Sequence, residues 1–406
     1  MPSAARSPDV LVIGGGIVGL AIAWRAAERG LSVSLLERDA TGQGASRVAA
    51  GMLAPVSEVE FGNGGRRLLA LGLRSAEIWP TFARRLEAVA GMSVGLRQTG
   101  ILFLARDDDE ARELERQIAL RDSLGLRSRR LRPSQAREWE PALAPTIRLA
   151  LELPDDHSVD PRRVLAALRL ACLSSSVELR EHAFVTRLSL DGGAVSGVEL
   201  ADGELVRSPA VVMAIGAWTG ELGCVPAGAR IPVRPVKGQT LRLRDPLGPG
   251  LLERVVRFKG GYLVPRADGS YVLGGTVEER EFDDSPTAGA TYELLRDAHE
   301  LVPGVSELQI EELCVGLRPG TPDNVPAIGP SAVRGLTWAT GHYRNGILLA
   351  PLTAELVAAM LAGEPAVDPL LSVCAPERFA RPAHSAGSAP GSASPERVIS
   401  SLGGAS

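Results

Sequence analysis

The sequence predicts a mixed α/β and α+β fold in two domains, one built on a parallel sheet and the other on a large antiparallel sheet. Three observations carry this expectation. With 406 residues, 45% of them hydrophobic, the chain is too long for a single core. Its N-terminal stretch reads strand, helix, strand. Two later stretches, one ending near residue 215 and one over 231–320, are short strand runs broken by Asp-Gly and Gly-Gly turns.

Composition removes several classes of function. The net charge is −4 with acids and bases interspersed, so no sustained positive field exists to hold nucleic acid or an anionic membrane surface. Cys172, Cys224, Cys314 and Cys374 are far apart, with no C-x-x-C and no zinc-like His spacing, which predicts no metal site and reduced thiols in a cytoplasmic protein. The N-terminal "MPSAARSPD" lacks the pattern of a secretory signal. The apolar run from Val10 to Trp24 is shorter than the ~20 residues of a membrane span and rich in glycine, so no stable membrane insertion is expected.

Residues 9–39, "DVLVIGGGIVGLAIAWRAAERGLSVSLLERD", form a βαβ unit with a helix stop at Gly30 and a second strand ending at Glu37. Gly14, Gly16 and Gly19 follow the first strand as G-x-G-x-x-G, with Gly15 inside the turn. The first allows the tight turn, the second lets a pyrophosphate approach the backbone, and the third lets helix and strand pack closely. The helix start then offers unbonded N–H groups to the phosphates. Glu37, followed by Arg38, stands where a carboxylate accepts hydrogen bonds from ribose hydroxyls. This is a Rossmann-type dinucleotide site, and the motif alone does not separate FAD from NAD.

The next stretch bears on that choice. Residues 42–55, "GQGASRVAAGMLAP", carry small residues and one basic side chain, so backbone can lie against a flat ligand; on composition alone, purely structural packing is the other reading. Residues 63–90 have helical periodicity, strands follow from 93 to 107, and 108–125 is an exposed amphipathic helix. Asp160 is placed as an N-cap with Pro161 at the first helical position. Near the C-terminus a Gly-rich loop leads into an amphipathic helix from about 347; if a flavin ring sits at its start, the dipole would stabilise the negative charge of the reduced ring, and on its own a purely structural loop is the other reading. Arg318 lies between an apolar approach and a Pro/Gly stretch, in "VGLRPGTPDN". It either pairs with a structural acid or grips a carboxylate with its planar fork. Residues 376–406, rich in Ala, Ser, Gly and Pro, are expected to be a disordered tail.

Taken together, "VIGGGIVGLAIAW", "LLERDATGQGASRVAAGMLAP", "VVMAIGAW", "GGYLVPRADGSYVLGGT", "GLRPGTPDNVPAIGP" and "GHYRNGILLAPLTAELVA" resemble the D-amino-acid-oxidase-like flavoproteins, most closely the glycine oxidases of thiamine biosynthesis. The resemblance covers roughly 8–370. It implies a discontinuous FAD-binding domain from 7–86, 154–226 and 321–370, and a substrate-binding domain from 87–153 and 227–320. It implies non-covalent FAD, a small amino-acid substrate and O2, with glycine converted to glyoxylate, ammonia and hydrogen peroxide by hydride transfer to flavin N5. The glycine imine would feed thiazole formation. A homo-oligomer is implied as well.

By motif, Arg318 and Tyr262 would hold the substrate carboxylate, with Arg344 at the same end. Ser46, Arg47, Gly51 and Met52 would line the flavin, and Val185 would meet the adenine side. Gly341, His342, Arg344, Asn345, Gly346 and Ile347 would surround the pyrimidine end of the ring. No acid or base is assigned, and His342 reads as structural. Gly260 and Val277 are small and apolar where substrate preference would be set. Related sarcosine oxidases attach flavin to a cysteine near Cys314, and residues 314, 316 and 318 would share a strand face. A D-amino-acid or sarcosine dehydrogenase or oxidase is the alternative within the family, and a non-catalytic flavin-binding module the alternative outside enzymes.

Overall fold

The structure, a computed structural model, describes residues 7–59, 63–222, 225–248, 250–365 and 369–379. Its helices are α1 (Ile17–Ala27), α2 (Ala45–Val48), α3 (Asn63–Ala90), α4 (Asp108–Ser123), α5 (Pro133–Trp139), α6 (Pro161–Ser174), α7 (Ala288–Leu301) and α8 (Gly346–Leu361), with short 3-10 turns and a C-terminal Leu370–Cys374 helix besides.

One sheet has six strands in the order Ala327–Pro330, Leu336–Thr340, Val211–Met213, Val10–Ile13, Val33–Leu36, Glu178–Arg180. All neighbours are parallel except the first pair. Val10–Ile13 sits in the middle and is apolar throughout because both of its faces are covered. Val10 and Val12 face a core shared with α1, α3, α6 and α8, whereas Leu11 and Ile13 face a core under the three-stranded antiparallel sheet of residues 185–207. The two-residue alternation of a strand thus divides one tetrapeptide between two layers.

The second sheet has eight strands in the order Gln309–Gly320, Arg234–Arg244, Ser270–Gly274, Gly261–Pro265, Val255–Phe258, Ile101–Ala105, Leu149–Leu153, Arg129–Leu131. It is antiparallel except where Val255–Phe258 meets Ile101–Ala105, which run parallel. That junction joins two separate stretches of chain, so no hairpin dictates its direction. α5 and α7 supply Ala136, Leu294, Ala298 and Leu301 to the core on one face. Thr287 caps α7, its side chain accepting from the Ala290 N–H at 3.3 Å.

Asp160 caps α6 as expected, accepting from the N–H groups of Arg162 (2.9 Å) and Arg163 (3.4 Å) ahead of Pro161. The α8 helix departs from the amphipathic expectation, because it is buried almost all round from Ile347 to Ala358. α1 and α3 pack on it from separate sides, and Glu355 is held by Arg25 (2.6 Å) and Arg29 (2.9 Å). Residues 376–379, expected within a disordered tail, form a turn with Pro376 buried and Arg378 bonded to Asp323 (3.0 Å) and the Val325 carbonyl (2.6 Å). Cys224 and residues 380–406 lie outside the described residues. Among the described residues no helix is long and apolar enough to cross a membrane.

The closest approach of helix to strand is at Gly19, where a Cβ would sit 1.9 Å from the Gly14 carbonyl oxygen. Gly19→Ala is therefore expected to cost about 1–3 kcal/mol or more through overpacking, read as a lower midpoint in urea unfolding. An unchanged midpoint would contradict this packing.

Candidate active site

A cavity of about 620 Å³ lies between the two sheets, within the roughly 300–1,000 Å³ typical of ligand pockets. One end is the G-x-G-x-x-G turn. Gly14, at φ +106°, and Gly16, the N-cap of α1, line it. Gly15 and Gly19 do not line it. The Gly15 N–H donates to Glu37 Oε2 (2.6 Å), while Glu37 Oε1 accepts from the Asp39 N–H (3.0 Å). Both oxygens of Glu37 are thus oriented from behind, and the residue lines the cavity with its remaining lone pairs. Arg38 lies 3.8 Å over the Trp218 ring, and both, with Val185, complete this end.

The middle is walled by residues 42–54. Ser46 Oγ accepts from the Ile17 N–H at 3.1 Å, which ties α2 to the start of α1. Gly51 and Met52 line the cavity, and Gly51 is at φ +80° with no room for a Cβ, which would stand 2.0 Å from the Val159 oxygen. Arg47 does not line it. Its side chain points toward Glu312 (3.7 Å), and its carbonyl accepts from Arg162 (3.3 Å) and Arg242 (2.9 Å). Thr240 and Gly316, which pack against Val48, line the cavity beside this wall and are likewise small or β-branched.

The far end gathers Arg318, Tyr262, Arg344 and Glu58. Arg318 is on the edge strand Gln309–Gly320, in register with Val236. Its Nη1 donates to the carbonyls of Thr276 (2.8 Å) and Lys237 (3.2 Å), and its guanidinium lies over Gly238, where a Cβ would be 2.2 Å from Nη2. A Cβ on Gly275 would fall 2.9 Å from the Tyr262 hydroxyl and 3.4 Å from Arg318 Nη2, so the two groups converge on a strip without side chains. Burial pushes the Arg318 pKa down. Among the described residues no carboxylate pairs with Arg318, so the reading as a structural ion pair is not what the structure shows.

Sequence reasoning missed Glu58. It lies 2.6 Å from Arg257 and 3.5 Å from Arg344. Burial alone would raise its carboxyl pKa, but the charges of Arg257, Arg344 and Arg318 outweigh it and hold the group below the usual carboxylate range. It is a carboxylate, poorly suited to accept a proton. No local pattern marks it, since its partners come from distant strands and loops.

His342, Tyr343, Arg344, Asn345, Gly346 and Ile347 all line the cavity, whereas Gly341 does not; its Cβ would clash with Thr321 at 2.4 Å. The loop docks on the edge strand through the Tyr343 N–H and the Pro319 oxygen (2.9 Å). Asn345 caps α8 without a side-chain bond, so the helix start opens on the cavity. Ser75 Oγ (2.6 Å) and Trp79 Nε1 (2.9 Å) on α3 both donate to the Leu348 oxygen and fix that start. His342 Nε2 meets Thr353 Oγ1 at 3.0 Å, and burial pushes its pKa down to about 4, so it is a neutral structural residue at physiological pH.

Gly260 and Val277 do not line the cavity, and neither does Cys314, which is buried with Arg162 Nη2 3.7 Å from its sulfur. Among the described residues no cluster of three or more His, Cys, Asp or Glu could hold a metal ion. Two helix starts facing the cavity, a backbone cradle of glycines and an acid at the ribose position fit a flavin dinucleotide laid from Glu37 to Arg318.

Residues 9–360 match the family model described as FAD dependent oxidoreductase, DAO. The chain is 33% identical over 372 residues to a glycine oxidase from Pseudomonas putida, covering 89% of this chain and 97% of that protein. It is 37% identical over 376 residues to the bifunctional protein ThiO/ThiG from Synechocystis sp., covering 91% of this chain; the chain spans about half (54%) of that relative's length. The crystal structure of glycine oxidase from Geobacillus kaustophilus superposes with a TM-score of 0.84 at 34% identity, covering 91% of this chain and 98% of that one.

The His342 environment gives a pH prediction. Its folded pKa is depressed from 6.5, so below pH 6.5 the unfolded chain takes up a proton that the folded one refuses until about pH 4. Between those values wild type is expected to lose up to about 3 kcal/mol that His342→Gln keeps. Urea unfolding of both proteins at pH 7 and 4.5 measures the difference; parallel losses would contradict a buried neutral imidazole.

Proposed function

The chain belongs to the DAO family of FAD-dependent oxidoreductases, and from that premise we propose that it oxidises a small amino acid, glycine first among them. Sarcosine and small D-amino acids belong to the same reading. O2 takes up the electrons, and glycine yields glyoxylate, ammonia and hydrogen peroxide. The glycine oxidases among its relatives support this. So does the resemblance to the oxidases of thiamine biosynthesis, in which the glycine imine would go on to thiazole formation. We place the protein in the cytoplasm as a homo-oligomer on the same resemblance.

The observation that carries the reading is Arg318, a buried guanidinium facing the cavity beside Tyr262 with which no carboxylate pairs among the described residues. An amino-acid carboxylate supplies the missing charge. FAD, when bound, supplies the acceptor for two electrons from the substrate α-carbon. The protein's part is geometry. Nη1 is locked by two carbonyls, so the guanidinium plane is set before substrate arrives, and the Tyr262 hydroxyl gives a second contact that fixes rotation. The α C–H then has one direction to point. Glu58, held below the usual carboxylate range, and His342, pushed down to about 4, are both poor bases for the substrate amine, which is compatible with hydride leaving the α-carbon of a neutral amine. The strip at Gly238 and Gly275 admits a small substrate directly against Arg318.

Anaerobic glycine is expected to bleach the flavin of the purified holoprotein, and the same solution in air should release hydrogen peroxide. Arg318→Ala should stay yellow while kcat/KM falls roughly 10- to 100-fold, the worth of a charged hydrogen bond. Failure of glycine, sarcosine and small D-amino acids alike to reduce the flavin would refute the proposal; loss of flavin from Arg318→Ala would mean that Arg318 serves the cofactor.

A further inference from the structure

Behind the cavity wall that ends in Glu58 is a buried acid with no part in the site so far described. Asp156 is fully buried and does not line the cavity. Its Oδ1 accepts from the Val56 N–H (2.9 Å) and its Oδ2 from the Ser57 N–H (2.6 Å). The carbonyls of the same two residues are taken by Arg121 of α4, itself fully buried, through Nε to Val56 (3.1 Å) and Nη2 to Ser57 (3.2 Å). Arg121 is steadied in turn by the Gln117 carbonyl (2.8 Å). All four backbone polar groups of Val56 and Ser57 are therefore held by two side chains from elsewhere in the chain. Arg257 adds a bond to Ser57 Oγ (2.9 Å) and pairs with Glu58 (2.6 Å). Glu58, the next residue, is the one that enters the cavity and meets Arg344.

We infer that Asp156 is a positioning residue for the substrate site: its carboxylate, by gripping two successive N–H groups, sets Glu58 and through it Arg344 against the Arg318 end of the cavity. This rests on the proposal that Arg318 binds the substrate carboxylate. A carboxylate can accept both bonds fully, whereas a protonated carboxyl keeps one good acceptor and gains a donor that faces other donors. Protonation therefore loosens the wall.

Burial pushes the Asp156 pKa up to about 7, against the N–H bonds and the charge of Arg257 that lower it. The charged and titratable groups around it do not share that range. Arg121 from α4, pushed down to about 10 by burial, stays protonated across it, and Glu58, paired with Arg257 from the Val255–Phe258 strand, is held below the usual carboxylate range. His157, whose Nδ1 is 2.9 Å from the Asp156 backbone carbonyl oxygen, is pushed below its ordinary value by burial, and Asp155 beyond it is engaged by Arg127 (2.8 Å). Sign and window follow: Asp156 is ionised and the wall firm above about pH 7, and the wall slackens as pH falls below it.

The test is binding of glycolate, a carboxylate without an amine, to the holoprotein from pH 5.5 to 8.5, followed by the shift in the flavin absorption band. Wild type should bind about tenfold more weakly at the acid end, a loss on the scale of one hydrogen bond to a charged group. Asp156→Asn should bind weakly at every pH, and Asp156→Glu should restore part of the pH dependence. With glycine at pH 8, Asp156→Asn should raise KM about tenfold and leave the limiting rate of flavin reduction within about twofold. Amide hydrogen exchange of residues 54–58 gives a readout independent of flavin: after correction for intrinsic rates it should quicken below pH 7 in wild type.

A wild-type profile flat in both binding and exchange overturns the inference without any variant, and so does an Asp156→Asn protein with the wild-type profile. Reduction of the flavin by glycine with a flat profile removes only the role of Asp156. Neither reduction nor glycolate binding removes the proposed function and this inference together.

Discussion

A guanidinium taken out of water needs a counter-charge or a dense set of acceptors, because its hydration is lost on burial. Arg318 has only two carbonyl oxygens, both on Nη1, and the space beside its other nitrogen belongs to the cavity. Keeping it there requires strands that cannot shift. Arg234–Arg244 pairs with the Arg318 strand over eleven register positions from Arg234 to Arg244. It also requires the glycines at 238 and 275, since a side chain at either would enter the strip where Arg318 and Tyr262 converge. The second sheet is a rigid mount for one charge with which no carboxylate pairs among the described residues.

The opposite wall obeys a different constraint. Residues 49–58 are largely irregular apart from the short Met52–Leu53 strand, so many of their peptide groups must find partners outside a ladder. Arginines meet that need from behind: Arg242 bonds the oxygens of Arg47 and Ala49, Arg266 that of Ala50, and Arg121 those of Val56 and Ser57. Asp156 takes the two N–H groups. Fixing this backbone from the rear leaves its front free of side-chain clutter. Burial pushes the pKa of Arg266 and of Arg121 down to about 10, which still leaves both cations at neutral pH.

The field inside the cavity is graded along its length. Glu37 stands at one end, the starts of α1 and α8 lie along it, and the far end holds Arg318 and Arg344 with Glu58 between Arg344 and Arg257. Helix starts and guanidinium groups alike favour anions, so a pyrophosphate, a reduced flavin ring and a carboxylate each meet positive potential where they would lie. His342, neutral because of burial, adds no charge at the α8 start.

Features encoded within a few residues were legible in the sequence alone. The glycines of the first turn, Glu37 at the end of the second strand, the Asp160–Pro161 cap and the exposed face of α4 each follow from local sterics or periodicity, and the structure shows each. Arg318 stood out because Pro and Gly flank it. The burial of α8 on all sides was not legible, because its solvent face becomes a core face only once α1 and α3 pack on it. The parallel junction between Val255–Phe258 and Ile101–Ala105 depends on which distant strand arrives at that edge. Arg47 was expected at the flavin and turns away instead, drawn toward Glu312.

Glu58 and Asp156 mark the boundary most clearly. Their partners are about 100 and 200 residues away along the chain, as in the bonds from Val56 to Asp156 and from Arg257 to Ser57. The sequence by itself determined the dinucleotide turn and the alternation of two sheet types and singled out Arg318, because short-range sterics and periodicity suffice for those. Only the tertiary structure decided which charges meet at the substrate end and whether each is paired, because Coulomb energy and desolvation depend on distance in space, and folding alone sets those distances.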